Sequence, residues 1–203
     1  MAAGNHEFDF GTEQFLHNVR RAEFPVLAAN IYRDGKPLLS GIQGDGSGCH
    51  TVIERKGIKV GFFGLTTTET ATATNPAGIS DLTFQDEVET AKEEIDHLKA
   101  EGADVIIAIT HLGDGYVPCS SKDLANALTG EYQDSVDVII DGHSHTVENE
   151  TVNEVLVVQT GSNMSSLGEL TLQITEDDVK ASQRLIDVNE MNNVTPKAEV
   201  TDK

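Results

Sequence analysis

Between residues 59 and 141 the chain alternates two kinds of hydrophobic pattern. KVGFFGLTT (59–67), DVIIAIT (104–110) and VDVIID (136–141) are nearly continuous apolar runs. Runs of that length predict strands buried on both faces of a sheet. Between the first two, FQDEVETAKEEIDHLKAEG (84–102) predicts a helix. It sets Val88, Ala91, Ile95 and Leu98 on one face, crowds acids at its start and stops at Gly102. SKDLANALTG (121–130) predicts a shorter helix ended by Gly130. Strand–helix–strand–helix–strand is the mark of an α/β sheet with helices packed on it.

The flanks are less regular. Phe15, Leu16 and Val19 predict a helix over about 12–22, broken by Pro25. PVLAANIY (25–32) reads as a short apolar strand, and LLSGI (38–42) and TVIER (51–55) as weaker ones. Lys56-Gly57 predicts a tight turn into the strand that follows, and Thr68 to Ser80 a Thr/Ala-rich loop. VLVVQT (155–160), LGELTLQIT (167–175) and ASQRLIDV (181–188) alternate and predict antiparallel strands. That meander needs a second sheet or an edge, which predicts a two-sheet α/β sandwich. Residues 189–203 read as a polar tail.

Composition narrows the function. The 203 residues carry 14 Lys+Arg against 34 Asp+Glu, a net charge of −20. That sign argues against a broad surface for nucleic acid or anionic membrane, and it suits a protein that gathers cations. No stretch approaches the roughly 20 apolar residues of a membrane span, and no export signal is visible. Cys49 and Cys119 have neither metal-type nor C-x-x-C spacing and predict two separate buried thiols. GDGSG (44–48) lacks the Gly-Lys-Ser/Thr ending of a phosphate-binding loop and predicts a turn.

The unusual residues fall in three loops: GNHEFD (4–9), THLG (110–113) and DGHSHT (141–146). Two of them directly follow an apolar strand, where α/β folds keep their active sites. Alone, His111 at a strand end reads as structural, and Asn5 as a helix cap. The i, i+2 pair His143 and His145, on a strand that can lie beside the one ending in His111, changes the balance. Convergent imidazoles are strong ligands for zinc, manganese and iron. Asp141 and Ser144 are placed to orient the rings. An Asn oxygen is also a hard ligand, and His6 can hydrogen-bond a reacting oxygen while Asp9 orients its ring.

In this order, GNHEFDFG, THLG and GHSH resemble the calcineurin-like metallophosphoesterase superfamily, and more narrowly the catalytic domain of the secreted 5′-nucleotidase family. FPVLAANI, KVGFFGLTTTET and QTGSNMSSLGELTLQI are similar to that family's connecting segments, so the resemblance runs from residue 4 to about 188. It implies an α/β/β/α sandwich holding two divalent ions of zinc, manganese, cobalt or iron. By resemblance, Asn5, His111 and His143 hold one metal and His145 the other. His6 stabilises the phosphoryl oxygens and the leaving group, and Asp9 orients it. Glu7 and Ser144 stay unassigned. The implied reaction is in-line attack of hydroxide on a nucleotide phosphoester. Alternatives are a 2′,3′-cyclic nucleotide, a UDP-sugar or a thiosulfate ester as substrate, or a non-catalytic metal-binding remnant.

One departure matters. The family pattern begins with an Asp-x-His after the first strand and a Gly-Asp after the next, and neither precedes Gly4. Gly44-Asp45 lies in a hairpin and does not substitute. The expectation is therefore a partial catalytic domain over 1–188 that lacks its first strands, followed by a linker over 189–203. The missing N-terminal segment and C-terminal nucleotide-binding domain would belong to a secreted, periplasmic or surface-bound parent. This chain alone would hold one metal ion or none and be weakly active or inactive. Its partner is a phosphoester substrate, with no nucleic-acid polymer and no membrane span.

Overall fold

The three apolar runs become the centre of a six-stranded sheet. The computed structural model describes residues 1–43, 46–115, 117–175, 178–191, 194, 195 and 197. Its strands are β1 (Ile31–Arg33), β2 (Lys36–Pro37), β3 (His50–Arg55), β4 (Ile58–Thr66), β5 (Leu82–Phe84), β6 (Val105–His111), β7 (Val138–Ile140), β8 (Val147–Val152), β9 (Val155–Thr160), β10 (Ser166–Ile174) and β11 (Val179–Asp187). Its helices are α1 (Thr12–Arg21), α2 (Thr70–Ala73), α3 (Glu87–Ala100), α4 (Ser121–Ala127) and α5 (Val188–Met191). The main sheet has the order β3-β4-β6-β7-β9-β8. β4, β6, β7 and β9 run parallel, while β3 and β8 pair antiparallel at the two edges.

The period of two along β6 divides the core. Ile106 and Ala108 join Ala91, Ile95 and Leu98 of α3 and Leu124 of α4 on one face. Val105 and Ile107 join Val138, Leu156 and Val158 on the other, under Leu170, Leu172 and Val179 of the β10–β11 ribbon. The two-sheet α/β sandwich thus forms because each central strand buries both faces. A third apolar cluster packs α1 (Phe15, Leu16, Val19) against Phe8, Ile31 and Leu39.

Helix α3 starts where Asp86 accepts from the backbone N–H of Val88 at 3.0 Å and of Glu89 at 2.9 Å, an N-cap interaction. Lys56 (φ 54°) and Gly57 (φ 81°) make the tight β3–β4 turn.

Several local expectations fail. Of PVLAANIY only Ile31 and Tyr32 enter a strand. Leu27 instead makes an isolated parallel bridge to Ala2, and Ala29 N–H donates to Gly64 O at 2.8 Å. Gly64 permits that approach, since a Cβ there would stand 2.4 Å from the Leu27 Cβ. LLSGI is a turn, because Leu38 and Leu39 both bury against the α1 cluster instead of alternating. The loop 68–80 carries the single turn α2. The sequence pattern does not predict β2, β5 or β8: β2 and β5 are two and three residues long, and VENETV of β8 is mostly polar, as an edge strand can be. In the tail, residues 188–191 form a helical turn, and most of 192–203 lies outside the described residues, as do Gly44 and Asp45. Cys49 and Cys119 are free and buried, and burial pushes their thiols up to about 11 and about 12. Among the described residues no helix is long and apolar enough to cross a membrane.

Asp137 ties β7 to β6, its Oδ2 accepting from Ile106 N–H at 2.8 Å. Burial raises its carboxyl above the ordinary 3.8. A raised folded-state pKa contributes stability below the unfolded value and loses it as pH rises through the folded value. The Tm difference between Asp137→Asn and the wild type should therefore grow in favour of the variant as pH rises from about 3.8 into that raised range. A constant difference in thermal melts across the series would contradict this burial cost.

Candidate active site

Parallel register brings the 110–113 and 141–146 loops to one end of the sheet, and Asn5 joins the 4–9 loop to them at His111. Thr66, at the end of β4, pairs with His111 at the end of β6, and Ile109 pairs with Ile140 at the end of β7. The next residue, Asp141, therefore emerges beside Thr110 to Gly113. Its Oδ1 accepts from Thr110 Oγ1 at 2.6 Å and from Leu112 N–H at 2.9 Å, and its Oδ2 from Gly113 N–H at 2.9 Å. Asp141 thus acts on the backbone that carries His111 and bonds to neither ring. Ser144 also ties loop to loop: its Oγ accepts from Asp114 N–H at 3.1 Å and from Gln159 Nε2 at 3.0 Å.

Asn5 opens a short 3-10 turn over Asn5–Phe8, and Glu7 rather than Asn5 supplies the side-chain cap, accepting from Gly4 N–H at 2.6 Å. The Asn5 side chain is buried. Its Nδ2 donates to Ala73 O at 3.2 Å, which leaves Oδ1 facing His111 Nε2 at 3.1 Å. The rings of His111 and His143 lie 5.1 Å apart at 57°. Burial first, and His143 second, hold the His111 imidazole below its ordinary pKa. That shift favours the neutral ring a metal requires.

Glycines make room for these rings. A Cβ on Gly4 would stand 2.9 Å from His111 ring carbons, and one on Gly142 3.2 Å from His111 Nδ1. One on Gly113 would stand 3.0 Å from His143 Cδ2. Gly4 is extended (φ −115°, ψ −180°), so it serves the close approach of His111. His143 (φ 84°) and His145 (φ 60°) both take left-handed backbone, which for a non-glycine costs on the order of 1–3 kcal/mol.

Asn5, His111 and His143 therefore come together, and an amide oxygen with two imidazoles fits a divalent cation. His145 is exposed. Among the described residues, His111, His143 and His145 do not bring three ring nitrogens within 4.8 Å of one another. His6 and Asp9 form a separate exposed pair, with Nδ1 to Oδ2 at 2.9 Å. Thr74 Oγ1 donates to the other Asp9 oxygen at 2.9 Å. The His6 and Thr74 hydrogen bonds hold the Asp9 carboxyl below the ordinary range.

The structure adds Glu69 to the site. Its Oε2 lies 3.0 Å from His143 Nε2. The available signal was its place in TTTET, just past the C-terminal end of β4. Behind the site, Lys122 pairs with Asp114 at 3.0 Å, Glu148 at 3.2 Å and Glu150 at 2.8 Å, and these carboxylates raise its pKa.

Asp141→Ala would leave the buried N–H groups of Leu112 and Gly113 without their acceptor. A loss of more than ~2 kcal/mol is expected in urea unfolding, with the His111 ring resonances displaced in NMR spectra. Unchanged stability would mean that water replaces the carboxylate.

Comparison with known proteins bears on this geometry. A family model described as bacterial capsule synthesis protein PGA_cap matches residues 1–160. The chain is 39% identical to a 5′-nucleotidase of Diplobatis ommata, over 72% of this chain and 23% of that protein. It is 29% identical to endonuclease YhcR of Bacillus subtilis, over 92% of this chain and 16% of that one. The crystal structure of calcineurin-like phosphoesterase YfkN from Bacillus subtilis superposes with a TM-score of 0.75 at 27% identity, covering 99% of this chain and 66% of that one. The chain thus spans a quarter or less of these two curated relatives.

Proposed function

We propose that this chain, which belongs to the PGA_cap family and to the calcineurin-like metallophosphoesterase superfamily as a catalytic domain of its 5′-nucleotidase branch, hydrolyses nucleotide phosphoesters with the help of divalent metal ions. The observation that carries this reading is the gathering of Asn5, on the 3-10 turn that also carries His6 and leads to Asp9, with His111 and His143 at the C-terminal ends of parallel strands β6 and β7.

In this proposal Asn5 Oδ1 and the His111 and His143 rings hold one ion, and His145 contributes to a second. Bound there, divalent ions neutralise phosphate charge and lower the pKa of a water molecule. The rest falls to the chain's own groups. Ionised Asp9 only accepts, so His6 Nδ1 carries the proton between them. Thr74 fixes Asp9 from behind, and the oriented ring presents Nε2 outward. In its charged form His6 donates that Nε2–H to a phosphoryl oxygen or to the departing ester oxygen. Glu69 accepts from His143 Nε2–H before metal is present and holds the ring in place. The −20 charge of the chain repels a nucleotide until cations reverse the local field.

His145 by itself is fewer than the three or so protein ligands that catalytic sites use. The assay is therefore read with enzyme in excess, where a single turnover is enough to detect. By family resemblance we place its work outside the cytoplasm, in a secreted, periplasmic or surface setting.

The test is hydrolysis with added zinc or manganese, read as phosphate release from nucleoside 5′-monophosphates and as newly formed phosphomonoesters from 2′,3′-cyclic nucleotides and single-stranded DNA. Release from a mononucleotide is expected. His6→Ala should lower its rate about 10²–10³-fold while metal stoichiometry stays unchanged. Equal rates in His6→Ala, or no metal-dependent release from any mononucleotide, would overturn the proposal. Cleavage of DNA alone would assign the site to polynucleotides.

A further inference from the structure

A second cluster of ligand-type side chains lies away from these loops. His50 begins the edge strand β3, while Glu94 and His97 stand one turn apart on α3. One ligand atom from each lies within 4.8 Å of the other two. Glu94 Oε2 meets His50 Nδ1, and Glu94 Oε1 lies 3.5 Å from His97 Nδ1. The two rings are 5.6 Å apart.

We propose that His50, Glu94 and His97 form a binding site for a zinc-type divalent ion, separate from the catalytic centre, that joins edge strand β3 to helix α3.

Three observations support it. The donor set is two imidazoles and one carboxylate, which selects zinc, cobalt or nickel over magnesium and calcium. The Glu94 side chain is only 7% exposed, while that of His97 is 61% exposed. A desolvated carboxylate thus anchors the site from inside, and an open imidazole leaves an entry path and a coordination position for water. Finally, Glu101 Oε1 lies 3.2 Å from His50 Nε2. A carboxylate on the far nitrogen fixes the tautomer, so that Nδ1 turns its lone pair toward the ion. A charged His50 paired with Glu94 and Glu101 accounts for His50, whose pKa those hydrogen bonds raise, Glu94 first. It gives no role to His97, which the same Glu94 also meets.

The consequence lies in the sheet. Among the described strands β3 pairs with β4 alone, and a bridge to α3 from its first residue would resist fraying of that edge.

The test uses the full chain carrying His111→Ala and His143→Ala, so that binding at the catalytic loops is removed. Calorimetry with zinc should show one remaining equivalent, and magnesium none. Cobalt should give visible absorption, and zinc should raise Tm. Adding His97→Gln, at an exposed position, should weaken zinc at least ~100-fold while the circular dichroism spectrum stays native. Adding Glu94→Gln should do the same. No zinc bound by the His111/His143 variant, or binding indifferent to both further substitutions, would overturn the proposal. Those outcomes leave the reading of the catalytic site untouched, because its histidines are absent from the test protein.

Discussion

The parallel register of β4, β6 and β7 is the constraint on which the rest depends. A slip of one residue would turn Ile106 and Ala108 toward the ribbon and Val105 and Ile107 toward the helices, exchanging two packed cores. Burial on both faces therefore locks the register more firmly than hydrogen bonds alone. With the register locked, Thr66, His111 and Asp141 arrive at the same end of the sheet. The site is a by-product of where three buried strands stop.

What converts that end into a defined site is backbone clamping. Asp141 spends its carboxylate on two N–H groups and a hydroxyl of the neighbouring loop, so the turn carrying His111 has little freedom. Glycines at 4, 113 and 142 then let the chain press against both imidazoles. Asn5 is held from its own amide end by Ala73 O, which aims its oxygen at His111. Each ligand-type atom is thus positioned by a group that is not itself a ligand, which is how preorganised sites avoid reorganisation during reaction.

Charge is distributed to the same end. The chain is strongly acidic, yet Lys122 gathers three carboxylates behind the site, and Glu69 and Asp9 face the histidines directly. Such a site attracts cations before it attracts an anionic substrate. On α3, Glu94 repeats the theme on a smaller scale by joining His50 to His97. Both clusters hold elements together that sequence order leaves apart.

The sequence by itself determined the strands that bury both faces, because a continuous apolar run has no other stable environment in water. The same holds for α3, whose apolar stripe, cap and glycine stop all agree, and for the motifs in loops 4–9, 110–113 and 141–146. It also carried the resemblance to metallophosphoesterases. Only the tertiary structure decided that PVLAAN forms a single bridge and that LLSGI is a turn. Their apolar residues are satisfied by burial against α1 and β4, and local pattern cannot say against what a residue will be buried. The tertiary structure also decided the partners of β5 and β8, since short or polar strands exist only through pairing. Glu69 and Asp141 lie 72 residues apart in the chain. Their roles at His143 and at the His111 loop follow from strand order, which residue spacing alone does not encode.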